Sequence, residues 1–197
     1  MRKYLFIFSL LAVMLFSIST AFAANEKATM IDENYNLNSI KTLAVATPHY
    51  EPSALSLERK AKLSNAPELI TPDMLVQTLM NVAKEDKVKL NLLTDKQVNA
   101  AILKDTGTDI ATLNRRDAQA LYKANVKNYA DAYVVFTFAN DSRVVMFADI
   151  YDAKDGHWIY SYKIIGGGNE DDNLTNYNMF MHKFFRTFEL QAEAQTK

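Results

Sequence analysis

Residues 132–165, AYVVFTFANDSRVVMFADIYDAKDGHWIYSYKII, decide the fold. Three runs rich in aromatic and β-branched residues, Ala132–Ala139, Arg143–Asp152 and His157–Ile165, are separated by two turns, Asn140-Asp141-Ser142 and Lys154-Asp155-Gly156. Asp-Gly between two such runs is a strong hairpin signal, and the whole predicts a three-stranded antiparallel meander. On the third run a period of two sets Trp158, Tyr160 and Tyr162 on one face, with Ile164 in line. His157, Ser161 and Lys163 fall on the other. Alternation of this kind marks a sheet buried on one side.

Downstream lies what could bury it. After Gly166-Gly167-Gly168, the spacing predicts a helix over Leu174 to Ala194, with Tyr177, Met181, Phe184, Phe185 and Phe188 as one apolar stripe. Upstream, Ile40–Thr47 reads as a first strand ended by Pro48. Thr71-Pro72-Asp73 starts a helix with a hydroxyl cap, a proline at the first position and an acidic residue near the positive dipole end; it runs to Glu85. Val88, Leu90 and Leu92 predict a second strand. Thr94 to Gln97 has capping-box spacing for a helix closed by Gly107. Thr112 is read as the cap of one more helix, over residues 114–128. The order predicts an α/β (α+β) class: one domain, residues 39–195, with a mixed sheet of about five strands packed with helices. Ala24–Asn38 is polar with scattered apolar residues and reads as a flexible lead-in.

The first 23 residues carry a different message. Arg2 and Lys3 precede an apolar run from Tyr4 to Phe16, and Ala21-Phe22-Ala23 is a small-x-small cleavage site. The run is shorter than the ~20 residues that span a bilayer. A cleaved signal peptide is therefore expected, with cleavage after Ala23 and a periplasmic or secreted product that makes no stable membrane insertion. The net charge of −1 becomes −3 once Arg2 and Lys3 are removed. Such a chain has no electrostatic reason to seek nucleic acid.

With no cysteine, the chain has no disulfide, thiolate nucleophile or cysteine-ligated metal, and no anchor for a lipoprotein's lipid. His49, His157 and His182 fall in different elements, without the paired spacing of metal ligands. The nucleophile-elbow and phosphate-loop patterns are missing. Gly166-Gly167-Gly168 opens a helix, but Glu170, Asp171 and Asp172 at its start would repel phosphate; they are read as stabilising the helix start. No cofactor, metal or catalytic residue is expected. The connection from Pro48 to Ile70 is long for a compact domain and is a candidate recognition loop. Candidate surface residues for an interaction or a ligand are His49, Tyr50, Trp158, Tyr160 and Tyr162, the last three also being the obvious floor for the final helix.

The segment Leu37-Asn38-Ser39-Ile40-Lys41-Thr42-Leu43-Ala44-Val45 resembles the opening strand of small exported envelope α/β domains. Among these are the TolB amino-terminal domain, the curli secretion component CsgG and the synthase activator LpoB. Asp131-Ala132-Tyr133-Val134-Val135 and residues 147–161, with the turn Asp152 to Gly156 and the aromatic-Ser ending Tyr160-Ser161, are similar to that group's paired strands. The resemblance implies non-catalytic envelope work through an envelope protein partner. Neither the pore role nor the propeller-linked role carries over, because the long hairpins and the propeller are missing. A small-ligand or glycan-binding protein that uses the aromatic sheet face is the alternative.

Overall fold

The aromatic runs become three long antiparallel strands in the computed structural model, which describes residues 25–52, 57–58, 69–140, 143–167 and 172–196. In chain order the strands are β1 (Glu26–Ile31), β2 (Thr42–Val45), β3 (His49–Glu51), β4 (Asn91–Thr94), β5 (Ala132–Asn140), β6 (Val144–Asp152) and β7 (Trp158–Ile165). The helices are α1 (Pro72–Glu85), α2 (Asp95–Thr106), α3 (Arg115–Asn125) and α4 (Leu174–Ala194). One mixed sheet runs β1-β7-β6-β5-β2-β4, with β3 also beside β5. β1, β7, β6 and β5 pair antiparallel, whereas β2, β3 and β4 join in parallel. The class is the one expected, with seven strands instead of about five.

The two added strands have clear causes. β1 lies in the segment read as a flexible lead-in. It pairs along its whole length with β7, Glu26 opposite Ile165 and Ile31 opposite Tyr160. It is an edge strand and mostly exposed, so its side chains need not be apolar. Residues beyond it are also held. The Leu37 N–H donates to Gln195 Oε1 at 2.8 Å, and Gln195 Nε2 donates to the Tyr35 carbonyl at 3.0 Å. Asn38 Nδ2 donates to the Ala192 carbonyl at 2.6 Å. The lead-in thus closes the end of α4.

β3 resumes the line of β2 after Pro48. Val45 is opposite Val134 and His49 opposite Thr137, so three residues span a gap that β5 crosses with two. Proline has no N–H to offer the ladder, and the pairing bulges around it. The second predicted strand begins three residues later than Val88, at Asn91, because residues 86–90 turn out of α1. The cap of α3 is Asn114, whose side chain accepts from the Asp117 N–H, and not Thr112. The predicted bounds of α1, α2 and α4 stand, including the Thr94–Gln97 capping box and a left-handed Gly107 at φ 71°. The signal peptide lies outside the described residues, as do residues 53–56 and 59–68 of the Pro48–Ile70 connection.

Helices cover both faces. α1 and α4 pack together on one, where Leu75, Leu79 and Val82 join Tyr177, Phe180, Phe184 and Phe188 over the meander. α2 and α3 cover Ala44, Tyr133 and Ala153 on the other. Phe184 is the hub of the larger core. Its ring centroid lies 5.3 Å from Phe136, 5.7 Å from Tyr162 and 5.0 Å from Phe185. Burying each such side chain contributes about 1.5–3 kcal/mol. The neighbouring Tyr160 hydroxyl is buried without a hydrogen-bond partner among the described residues, and burial pushes its pKa upward.

Two outcomes follow for urea unfolding followed by circular dichroism. Phe184→Ala is expected to destabilise the domain by about 3–5 kcal/mol, since the well-packed site cannot collapse around the void. Tyr160→Phe removes an unsatisfied oxygen and is expected to leave stability unchanged or raise it by about 1 kcal/mol; a loss beyond that range would show that the hydroxyl makes a bond of its own.

Candidate functional site

The register of β6 and β7 rearranges the aromatic stripe. Ile150 is opposite Tyr160, but Tyr151 is opposite Trp158, so Ile159 is an extra residue on β7. At such a bulge two adjacent residues oppose a single residue on the partner strand, and the alternation beyond it is inverted. Ile159, Tyr160 and Tyr162 are all buried in the α4 core. Trp158 instead shares the opposite face with its cross-strand neighbour Tyr151. The three aromatics expected on one face are therefore divided, and Tyr160 and Tyr162 are not surface residues.

On its own face Trp158 is fixed by a short polar chain. Its Nε1–H donates to Ser161 Oγ at 2.8 Å, and the Ser161 hydroxyl donates to Asp149 Oδ1. The partner of the Asp149 carboxylate is thus this hydroxyl. Lys163, next along the face, holds its ammonium 5.4 Å from the centroid of Phe147. Met30, opposite Ser161 on β1, is 65% exposed. Val145, Phe147, Trp158 and Ile165 are only partly buried. The β6-β7-β1 half of this face is thus a partly open surface of apolar and aromatic side chains, interrupted by Asp149, Ser161 and Lys163.

The remaining candidates lie elsewhere. His49 is exposed, with Nε2 2.7 Å from Glu51 Oε1. Tyr50 does structural work: its hydroxyl donates to Asp172 Oδ2 at 2.5 Å, and Tyr177 donates to Oδ1 of the same carboxylate at 3.0 Å. Burial and the Asp172 charge push the Tyr50 hydroxyl well above its ordinary pKa. Asp172 is therefore a buried clamp between β3 and α4. The cap of α4 is Asn173, accepting from the Asn176 N–H at 3.0 Å, and α4 has no acidic residue in its first turn. Glu170 and Asp171 lie outside the described residues.

Sequence reasoning missed a cluster at the β6–β7 turn. Ligand atoms of Asp152, Asp155 and His157 lie within 4.8 Å of one another. Each is already committed to the turn. Asp152 Oδ1 accepts from the Lys154 N–H at 2.6 Å, and Asp155 Oδ1 accepts from the His157 N–H at 2.9 Å. His157 Nδ1 is 2.6 Å from that same oxygen, and Nε2 is 3.8 Å from Asp32. Gly156 closes the turn at φ 74°, a conformation an L side chain would strain. The spacing D-x-x-D-x-H was the available signal.

No protein-family model matches the sequence, and no curated relative is found. Solved structures similar to it include the PelC dodecamer from Paraburkholderia phytofirmans, at 9% identity and TM-score 0.44, covering 81% of this chain and 94% of that one. The LpoB C-terminal domain from Escherichia coli is similar at 12% identity and TM-score 0.44, over 68% and 86% of the two chains. A DUF4136 family protein from Bacteroides thetaiotaomicron is similar at 8% identity and TM-score 0.43, over 86% and 96%. No helix among the described residues is long and apolar enough to cross a membrane.

Hydrogen bonding to Asp155 raises the pKa of His157 above 6.5, with the charges of Asp155, Asp152 and Asp32 adding to it. The stabilisation is therefore complete below the ordinary histidine value and is lost as pH rises through the higher folded one. NMR titration of the His157 ring should show a midpoint above 6.5, and Asp155→Asn should bring it down. An unmoved midpoint in the variant would show that Asp155 is not the cause.

Proposed function

We propose that this chain is an exported, non-catalytic protein of the cell envelope that acts by binding another envelope protein through the open half of its sheet. The observation that carries this reading is the β6-β7-β1 surface. It combines the 65% exposed Met30 with the partly buried Phe147 and Trp158, and the latter is held in place by Ser161 and Asp149. Apolar side chains that flank a rigid aromatic anchor are the usual centre of a protein interface. The surface lies on hydrogen-bonded strands, so little ordering is needed when a partner docks. The signal-peptide pattern supports export, and the sequence resemblance to TolB, CsgG and LpoB domains supports work in the envelope.

The non-catalytic part rests on how the basic groups are placed. His49, His157 and His182 each sit against a local carboxylate, at Glu51, Asp155 and Asp86 respectively, in three separate places. Acid–base work needs such groups to converge on one reacting atom. The glycan alternative loses the stripe it was built on, since Tyr160 and Tyr162 are core residues.

The test is site-specific crosslinking in the protein's own cells. A photoreactive phenylalanine analogue at position 147 should give a discrete adduct with one envelope protein. The same analogue at Lys84, on the exposed side of α1, should not. Met30→Asp should reduce the adduct at least several-fold. Equal adducts at both positions, or none at 147, would overturn the reading.

A further inference from the structure

One edge of the sheet carries backbone groups that no described part of the chain satisfies. β1 is terminal in the strand order and pairs with β7 alone. The Asp32 N–H donates to the Ile159 carbonyl at 3.0 Å, and along an antiparallel ladder such bonded positions alternate. Glu26, Ala28 and Met30 therefore bond inward to β7, whereas the N–H and C=O groups of Lys27, Thr29 and Ile31 point away from the sheet. These outward groups have no hydrogen-bond partner among the described residues. Edges are usually blunted by a proline, a bulge or a covering segment. β1 has no proline, and its register runs from Glu26 to Ile31 without a shift. An edge of this kind accepts a further strand.

The side chains of β1 select the owner of that strand. Met30 is 65% exposed, more than any other large apolar side chain among the described residues. Lys27 and Glu33, near the two ends of the edge, are exposed, opposite in charge and without a partner among the described residues. Antiparallel pairing of β1 with its own copy, centred on Met30, uses all three. It sets the two Met30 side chains against each other at a non-hydrogen-bonded position, where Cα atoms are about 4.5 Å apart. Thr29 of each copy exchanges both backbone hydrogen bonds with Ile31 of the other. Lys27 of each copy comes opposite Glu33 of the other, just beyond the last bonded pair. Opposite charges across a strand pair stabilise it, and like charges destabilise it. Other registers lose these matches: centring on Thr29 places Glu26 against Asp32, and centring on Ala28 places Met30 against Glu26.

We infer that β1 is a self-association edge, at which two copies of this chain join β1 to β1 across a twofold axis through Met30 and continue one sheet. The contact is isologous, so it closes at a dimer. A six-residue edge covers less than the roughly 1,200–2,000 Å² of a stable complex, so the dimer is reversible and forms at raised concentration. Phe147 and Trp158 stay open in it, and the inference does not rest on the function proposed above.

Because the chain has no cysteine, one introduced thiol reports the register. Met30→Cys should give a disulfide-linked dimer under mild oxidation, since the expected Cα separation lies within the roughly 4.4–6.8 Å that a disulfide spans. Ala28→Cys, off the axis, should stay monomeric. Sedimentation equilibrium of the purified cysteine-free protein should show monomer and dimer in exchange. Thr29→Pro removes an N–H that only the second copy uses, and should weaken the dimer by about ten-fold or more. Lys27→Glu or Glu33→Lys alone should weaken it by roughly a few-fold, and the double exchange should restore it. The inference is overturned if the protein stays monomeric at millimolar concentration, if Ala28→Cys crosslinks as readily as Met30→Cys, or if the double exchange dimerises no better than the single ones.

Discussion

Everything in this molecule depends on the burial of one aromatic helix stripe under a three-stranded ribbon. Tyr177, Phe180, Phe184, Phe185 and Phe188 of α4 are all nearly inaccessible, and the β5, β6 and β7 side chains beneath them are equally so. A two- or three-stranded ribbon is marginal by itself; a helix on its apolar face makes it a stable unit. The contact also recruits the ends of the chain. Residues 35–38 close the last turn of α4, and Asp172 ties its start to Tyr50 and Tyr177. In a chain without a disulfide, this packing and these polar ties have to do what covalent links do in many exported domains.

The parallel half is added to that unit by a few specific contacts. Asp131 Oδ2 accepts from the backbone N–H groups of Lys41 and Thr42, both at 2.8 Å, which sets the start of β2 against the start of β5. From there Leu43, Ala44 and Val45 follow the register of Ala132, Tyr133 and Val134. Pro48 interrupts the pairing between β2 and β3, and Ala46 and Thr47 just before it border a cavity of about 410 Å³ beside α2 and α3.

How far the sequence discloses this structure depends on whether a feature is local or distant. The meander, the four helices with described bounds and the Thr94 and Thr71 caps rest on patterns a few residues long, and they were legible. β1 was not. An edge strand with one free side tolerates Glu26, Lys27 and Thr29, so its composition imitates a linker, and only the partner β7 makes it a strand. The stripe Trp158-Tyr160-Tyr162 failed for a related reason. A period of two assumes an unbroken ladder, and the extra residue at Ile159 depends on how β6 and β7 fit together and not on either run alone. The Tyr133–Tyr151 pair could have been found by aligning the two strands back from their turn, but the cavity it borders is assembled from elements more than 100 residues apart.

The bulge has a consequence for function as well as for register. Without it Trp158 would continue the line of Tyr160 and Tyr162 into the α4 core, and the outer face would lose its one large fixed aromatic. With it, the indole is placed over Ser161, and the hydroxyl–carboxylate chain to Asp149 sets its direction. Polar groups that orient an aromatic ring at a partly open surface serve a side chain whose outward geometry matters, and that is the physical reason to look for a partner on the β6-β7-β1 half of the sheet.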